Sequence, residues 1–145
     1  MRQIPNRALW LGNASDLRDA RAILLAGIEA VVEVADSELL AVLPRELIRC
    51  RFPLSDGGDN PPWLLRMAVA SVASLLRAGV PVLVCCSAGM SRSICVAAGG
   101  VARAEGRHLA EVLPEVVGSG PADVSPRLLA QLREALGVPS SVSLS

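Results

Sequence analysis

Apolar positions along this chain change period several times, from short aliphatic blocks to longer stretches that repeat about every 3.6 residues. ALWLG at 8–12, AVVEVA at 30–35, LIRCRFPL at 47–54 and VPVLVCC at 80–86 are rich in Val, Ile or Leu, end in turn residues, and predict strands. Helices are predicted between and after them. The segment from Ser15 to Gly27 starts polar, puts Leu17, Ala20 and Leu24 on one face, and ends on a glycine suited to a C-cap. A short helix is expected around 37–43. Residues 62–78 carry the clearest helical repeat, Leu64, Leu65, Ala68, Val69, Val72, Leu75 and Leu76, behind an Asn60-Pro-Pro start and before Gly79. SICVAAGGVARA predicts a buried helix. Leu109, Val112, Leu113 and Val116 mark another, whose far end Pro114 leaves open. Ser125-Pro126 is an N-cap followed by proline at the first helical position, and Leu128, Leu129, Leu132 and Leu136 supply the stripe of the last helix.

Strands alternating with helices, then a run of helices, predict one α/β domain over 1–145, with a mainly parallel central sheet of about four to five strands and helices on both faces. The polar tail at 137–145 is expected to fray. Ligands of such sheets bind beyond the carboxyl ends of the strands, which directs attention to the residues just after 54 and just after 86.

Composition narrows the function classes. A length of 145 residues suits one core, and 52% apolar residues, 19% charged residues and a mean hydropathy of +0.46 exclude a disordered chain. Fourteen arginines, with no lysine, face fourteen acids, and both signs are spread along the chain. No basic stripe exists to attract nucleic acid or an anionic membrane, and neither partner is expected. We read the arginine bias itself as codon usage. No apolar run approaches the ~18 residues of a membrane span, and MRQIPNRALW lacks an apolar leader core. A cytoplasmic, reducing location is therefore expected, with Cys50, Cys85, Cys86 and Cys95 as free thiols. With no CxxC and one distant histidine, His108, no metal or other cofactor is expected. Cys50 and Cys95 read as core packing, His108 as a solvated helical residue, and Trp10 and Trp63 as core or pocket-edge anchors.

After the strand at 80–86 the chain continues CSAGMSRS. Ser87, Ala88, Gly89, Met90 and Ser91 are small or flexible enough for a tight loop that aims successive backbone N–H groups inward, and the following helix adds its positive end. Arg92 supplies a planar fork matched to two phosphate oxygens. Surroundings of this kind favour thiolate over thiol, so an anion cradle and a sulfur nucleophile, Cys86, coincide.

These residues resemble the cysteine-dependent protein tyrosine and dual-specificity phosphatases, whose mark is Cys, five residues, Arg, then Ser or Thr, with glycine at the third loop position: here Cys86, Gly89, Arg92 and Ser93. The family's general acid is an Asp about thirty residues before the cysteine, and Asp56 stands thirty before Cys86. Asp59 shares the loop, but lies where capping of the Pro-Pro helix accounts for an acid. The resemblance spans roughly 8–136, from LWLGNASDLRD to PADVSPRLLAQL. It implies attack by Cys86 on phosphorus, protonation of the leaving oxygen by Asp56, phosphate binding by Arg92 and residues 87–91, and assistance from Ser93 when water hydrolyses the cysteinyl phosphate.

Two departures stand out. Cys85 replaces the family's usual His, and the chain has no Tyr to wall a deep phosphotyrosine pocket. Cys85 beside Cys86 also raises the idea of a protective disulfide, although strand alternation aims neighbours to opposite faces. The loop's variable positions hold no Lys or Arg, which argues against phosphoinositides and for a phosphoprotein substrate, phosphorylated on tyrosine, serine or threonine, with the enzyme a monomer. The alternatives are a non-catalytic phosphoprotein-binding module and a cysteine-dependent arsenate reductase or sulfurtransferase; the low-molecular-weight reductases place their loop near the N-terminus.

Overall fold

The computed structural model describes residues 1–36 and 41–138. Its strands are β1 (Arg2–Gln3), β2 (Leu9–Asn13), β3 (Ala30–Ala35), β4 (Ile48–Leu54) and β5 (Val82–Cys86), in the sheet order β1-β2-β5-β3-β4. β1 runs antiparallel to β2; the other pairings are parallel. β3 and β5 are buried at every position, as parallel strands covered on both faces must be, and this is why they read as near-continuous apolar runs, broken only by Glu33 of β3, which pairs with Arg49. Leu9 and Ala30 both sit opposite Val82, so the strands run in step. Their carboxyl ends meet at one edge, with Asn13 opposite Cys86 and Ala35 opposite Leu54.

The helices are α1 (Ala20–Leu25), α2 (Pro62–Arg77), α3 (Arg92–Glu105), α4 (Leu109–Val117) and α5 (Pro126–Ala135). Alternation along β5 sorts its side chains between two cores. Val82, Val84 and Cys86 join Val69, Ile94, Val112 and Leu132 on the side of α2–α5. Leu83 and Cys85 join Leu17, Ile23 and Ile28, on the side of α1. Every residue of α3 from Arg92 to Ala102 is buried, which fixes the exit of the β5–α3 loop as firmly as β5 fixes its entrance. Close approach of α2 and α3 requires the glycine pair between them: a Cβ on Gly99 would lie 2.8 Å from Val69 Cγ2, and one on Gly100 2.7 Å from Val72 Cβ.

Several expectations are corrected or resolved. The segment from Ser15 to Gly27 is not one helix but a 3₁₀ turn, Ala14–Arg18, followed by α1. Asn13 and Asp16 form a capping box at the turn, and Asp19 then accepts from the N–H of Ala22 to start a new helix, so two successive caps divide the segment. Leu17 and Ile23 face the core, and Leu24 faces outward. Pro114 does not end its helix: α4 continues to Val117, because Leu109, Val112 and Val116 are buried and outweigh the one donor proline removes. Trp63 is 56% exposed in the first turn of α2, where neighbouring Leu64 and Leu65 take the inner face. The short strand β1 carried no repeat long enough to predict it. The helix expected around 37–43 has its first part outside the described residues and no helix at 41–43, and the tail from 139 also lies outside them.

Buried thiols give the fold a clean titration signature. Burial, reinforced by the negative charge of Asp56 and Cys86, pushes the Cys95 thiol up from 9.0 to about 12. Burial and then Glu33 push Cys85 up as well. Folded values above unfolded ones mean that the stability these neutral thiols contribute is complete below pH 9.0 and is lost as pH rises toward about 12. With no Lys or Tyr in the chain, cysteines dominate proton release in that window. Denaturant melts from pH 8 to 11 are therefore expected to show stability falling by up to about 1.4 kcal/mol per pH unit for each buried thiol, with a shallower fall in Cys95→Ala. Gly100→Ala is expected to lower the melting temperature through overpacking of about 1–3 kcal/mol, offset in part by about 1 kcal/mol of helix propensity. Calorimetry checks the sign.

Candidate active site

Where the strand ends meet, residues 87–91 loop from β5 into α3 around the Cys86 sulfur. The loop is held from outside by its own backbone: Ala14 N–H donates to Ser87 O at 3.3 Å, and Asp123 N–H to Met90 O at 2.9 Å. Gly89 sits at φ +74°, and a Cβ there would come 2.8 Å from Gly12 O. Both the conformation and the contact with the end of β2 require glycine. Gly89 N–H donates to Cys86 Sγ at 3.2 Å, and Ser93 Oγ lies 3.3 Å from the same sulfur. Among the described residues, no group accepts from the backbone N–H of Ser87, Ala88, Met90 or Ser91. Donors that the loop leaves without an internal acceptor are available to an anion.

Arg92 is buried, at 9% exposure, and its guanidinium is anchored from three directions. Nη1 donates to Leu54 O at the end of β4 and to Asp36 Oδ1 just beyond β3, both at 2.9 Å, and Nη2 donates to Ser87 Oγ at 2.8 Å. Three of the five N–H groups are thereby used, and Nε–H and one Nη2–H have no protein acceptor among the described residues. A guanidinium fixed at one end with two donors free is suited to hold a second anion's oxygens.

Asp56 follows β4 and accepts from Ser91 Oγ at 2.6 Å, so the carboxylate is brought to the β5–α3 loop. Asp59 is not brought there. It neither caps α2, as expected, nor reaches the loop; it pairs with Arg127 at 2.6 Å on an exposed surface, because Pro61 occupies the cap position. Asn60, expected to open α2, instead closes the acid loop: its side chain accepts from Ser55 N–H at 2.8 Å and donates to Ser55 O at 2.7 Å. Gln131 of α5 then binds both Asn60 and Gly58 O.

Cys85, adjacent to Cys86 in sequence, points through the sheet to the other face, where Sγ contacts Val32 O at 3.9 Å. There it packs near Glu33, whose carboxylate is bound by Arg49. The two thiols occupy different cores, and the geometry lends no support to a protective pairing. Cys95 is fully buried and Cys50 packs against the same core, as expected; His108 is exposed as the N-cap of α4. Trp10 is half-buried against the α1-side core.

Sequence reasoning missed Asp36 and Gln131. Asp36 directly follows β3, so extending the search for ligand-binding positions from two strand ends to all of them would have reached it. Gln131 carries no comparable signal, since its partners lie more than seventy positions away.

No family model matches this sequence, and no curated protein sequence matches it. Solved structures do. That of human DUSP28 superposes with a TM-score of 0.78 at 26% identity, covering 88% of this chain and 90% of that one. A mouse dual specificity phosphatase complexed with zinc tungstate gives 0.77 at 27% identity, over 88% of this chain and 81% of the other. The human tyrosine phosphatase-like serine/threonine/tyrosine-interacting protein shares the fold, at a TM-score of 0.74 and 18% identity over 95% and 94% of the two chains. Agreement in fold along most of the chain, around a loop with a cysteine at its base, leads to one conclusion: the chain belongs to the superfamily of cysteine-dependent protein tyrosine and dual-specificity phosphatases.

Proposed function

We propose that this protein is an active phosphatase that hydrolyses phosphomonoesters on phosphoproteins, without a metal, through a cysteinyl-phosphate intermediate. One observation carries the reading: the N–H donors of Ser87, Ala88, Met90 and Ser91 and two N–H groups of Arg92, all without a protein acceptor among the described residues, belong to the same loop that surrounds the Cys86 sulfur. Such a site binds a dianion against a nucleophile.

In the first step Cys86 Sγ attacks phosphorus, the S–P bond forms and the P–O bond to the leaving group breaks. Asp56 gives its proton to the departing oxygen. Arg92 and the loop N–H groups hold the non-bridging oxygens while charge redistributes, without having to reorganise. In the second step Asp56 takes a proton from water, whose oxygen attacks phosphorus and displaces the sulfur. The Ser93 hydroxyl, near the sulfur, donates to the thiolate as it leaves, and Gly89 N–H does the same. All these groups come from one chain, so a monomer suffices. A loop without Lys or Arg at its variable positions favours the single phosphate of a phosphorylated tyrosine, serine or threonine over multiply charged head groups.

The purified protein is expected to hydrolyse p-nitrophenyl phosphate in the presence of a chelator. Cys86→Ser is expected to abolish turnover, and Asp56→Asn to lower kcat by about 10²-fold or more. Asp59→Asn, which removes an exposed pair, should stay within about twofold. Absence of turnover in the wild type would return the chain to a phosphoprotein-binding role, and normal turnover in Cys86→Ser would overturn the mechanism.

A further inference from the structure

We infer that Ser91 is a positioning residue for the proton donor: its hydroxyl, oriented by the backbone of Ser125, fixes which oxygen of Asp56 carries the proton. This inference rests on the phosphatase reading above, with Asp56 as acid. Ser91 Oγ lies 2.6 Å from Asp56 Oδ1, and Ser125 N–H reaches the same hydroxyl oxygen at 2.9 Å. A hydroxyl has one hydrogen and two acceptor lone pairs, whereas a backbone N–H only donates. Ser125 therefore takes a lone pair of Ser91, and the single Ser91 hydrogen is directed at Asp56 Oδ1.

That polarity has a chemical consequence. Oδ1 acts as acceptor whether the carboxyl is ionised or protonated, so the proton of the acid form resides on Oδ2. No protein group contacts Oδ2 by hydrogen bond among the described residues. Ser91 is only 7% exposed, so bulk water does not compete for its hydrogen. Its support is rigid, because Ser125 also caps α5, accepting from Leu128 N–H at 3.2 Å. The acid loop is tied to the same helix through Gln131. The phosphate loop and the acid loop are thus registered on α5, and Ser91 is the side chain that joins them. Fixing the carboxyl in one orientation lowers the entropic cost of proton transfer.

The test uses two substrates that differ in their need for a proton, phenyl phosphate with a basic leaving group and 2,4-dinitrophenyl phosphate with a good one. The readout is the ratio of kcat/KM values, which does not depend on the fraction of enzyme folded. Asp56→Asn is expected to depress the phenyl ester selectively, by about 10²-fold or more, and Ser91→Ala to do so by about tenfold. Ser91→Thr keeps the hydroxyl and should restore the ratio. In the Asp56→Asn background, Ser91→Ala should not alter it further. Equal losses on both substrates in Ser91→Ala would mean a structural role in the loop and would overturn the inference, as would an unchanged ratio, while Asp56 stands as the acid. If Asp56→Asn itself shows no selectivity, the assignment of the acid falls, and Ser91 with it.

Discussion

A buried guanidinium needs acceptors on every side it does not use, and the placing of Arg92 is the constraint from which the rest of this site follows. Its acceptors come from three places in the fold: the carbonyl that ends β4, the carboxylate just beyond β3 and the hydroxyl of Ser87 in the loop. Strands that run in step and terminate at one edge bring these together, and the parallel pairing of β3 with both β4 and β5 achieves that. Removing Asp36 would leave the charge without its counter-ion, and removing either neutral acceptor would leave a buried donor unsatisfied, so the anchor and the sheet order stabilise each other. In the proposed reaction the same geometry gives Arg92 its use, since a fork held from behind would meet an incoming phosphate without losing further freedom.

The adjacent cysteines show how much a single step along a strand decides. Cys86 faces the α2–α5 side at the base of the loop, while Cys85 faces the α1 side beside Glu33. Burial and a nearby carboxylate hold Cys85 as a neutral thiol. The position that the family usually gives to His is thus filled by a small, neutral group on the far side of the sheet from the Cys86 sulfur.

The contiguous parts of the site are legible in the sequence itself. Cys86, Gly89 and Arg92 lie on one loop and helix turn, where spacing along the chain translates directly into spacing in space, and Ser93 beside them is singled out by the resemblance. Asp56 is legible for a different reason, the resemblance, and its bond to Ser91 shows that it lies against the same loop. Asp36 is not, because a lone acid after a strand looks like any turn residue until a partner fifty-six positions away is folded onto it. Local misjudgements have local causes. Two successive N-caps, Asn13 and Asp19, split the first predicted helix, and burial of three aliphatic side chains carries α4 through Pro114, a tertiary gain that overrides propensity. The edge strand β1 is too short to leave a pattern.

The central claim is that the Cys86 sulfur, held in this loop, takes the phosphoryl group itself. The most direct measurement is rapid quench of the wild-type protein during turnover of an aryl phosphate, followed by mass spectrometry of the peptides that cover residues 80–95. The account predicts a phosphoryl group on Cys86 and none on Cys85 or Cys95. Steady turnover with Cys86 unmodified at every quench time, or label on another residue, would contradict it.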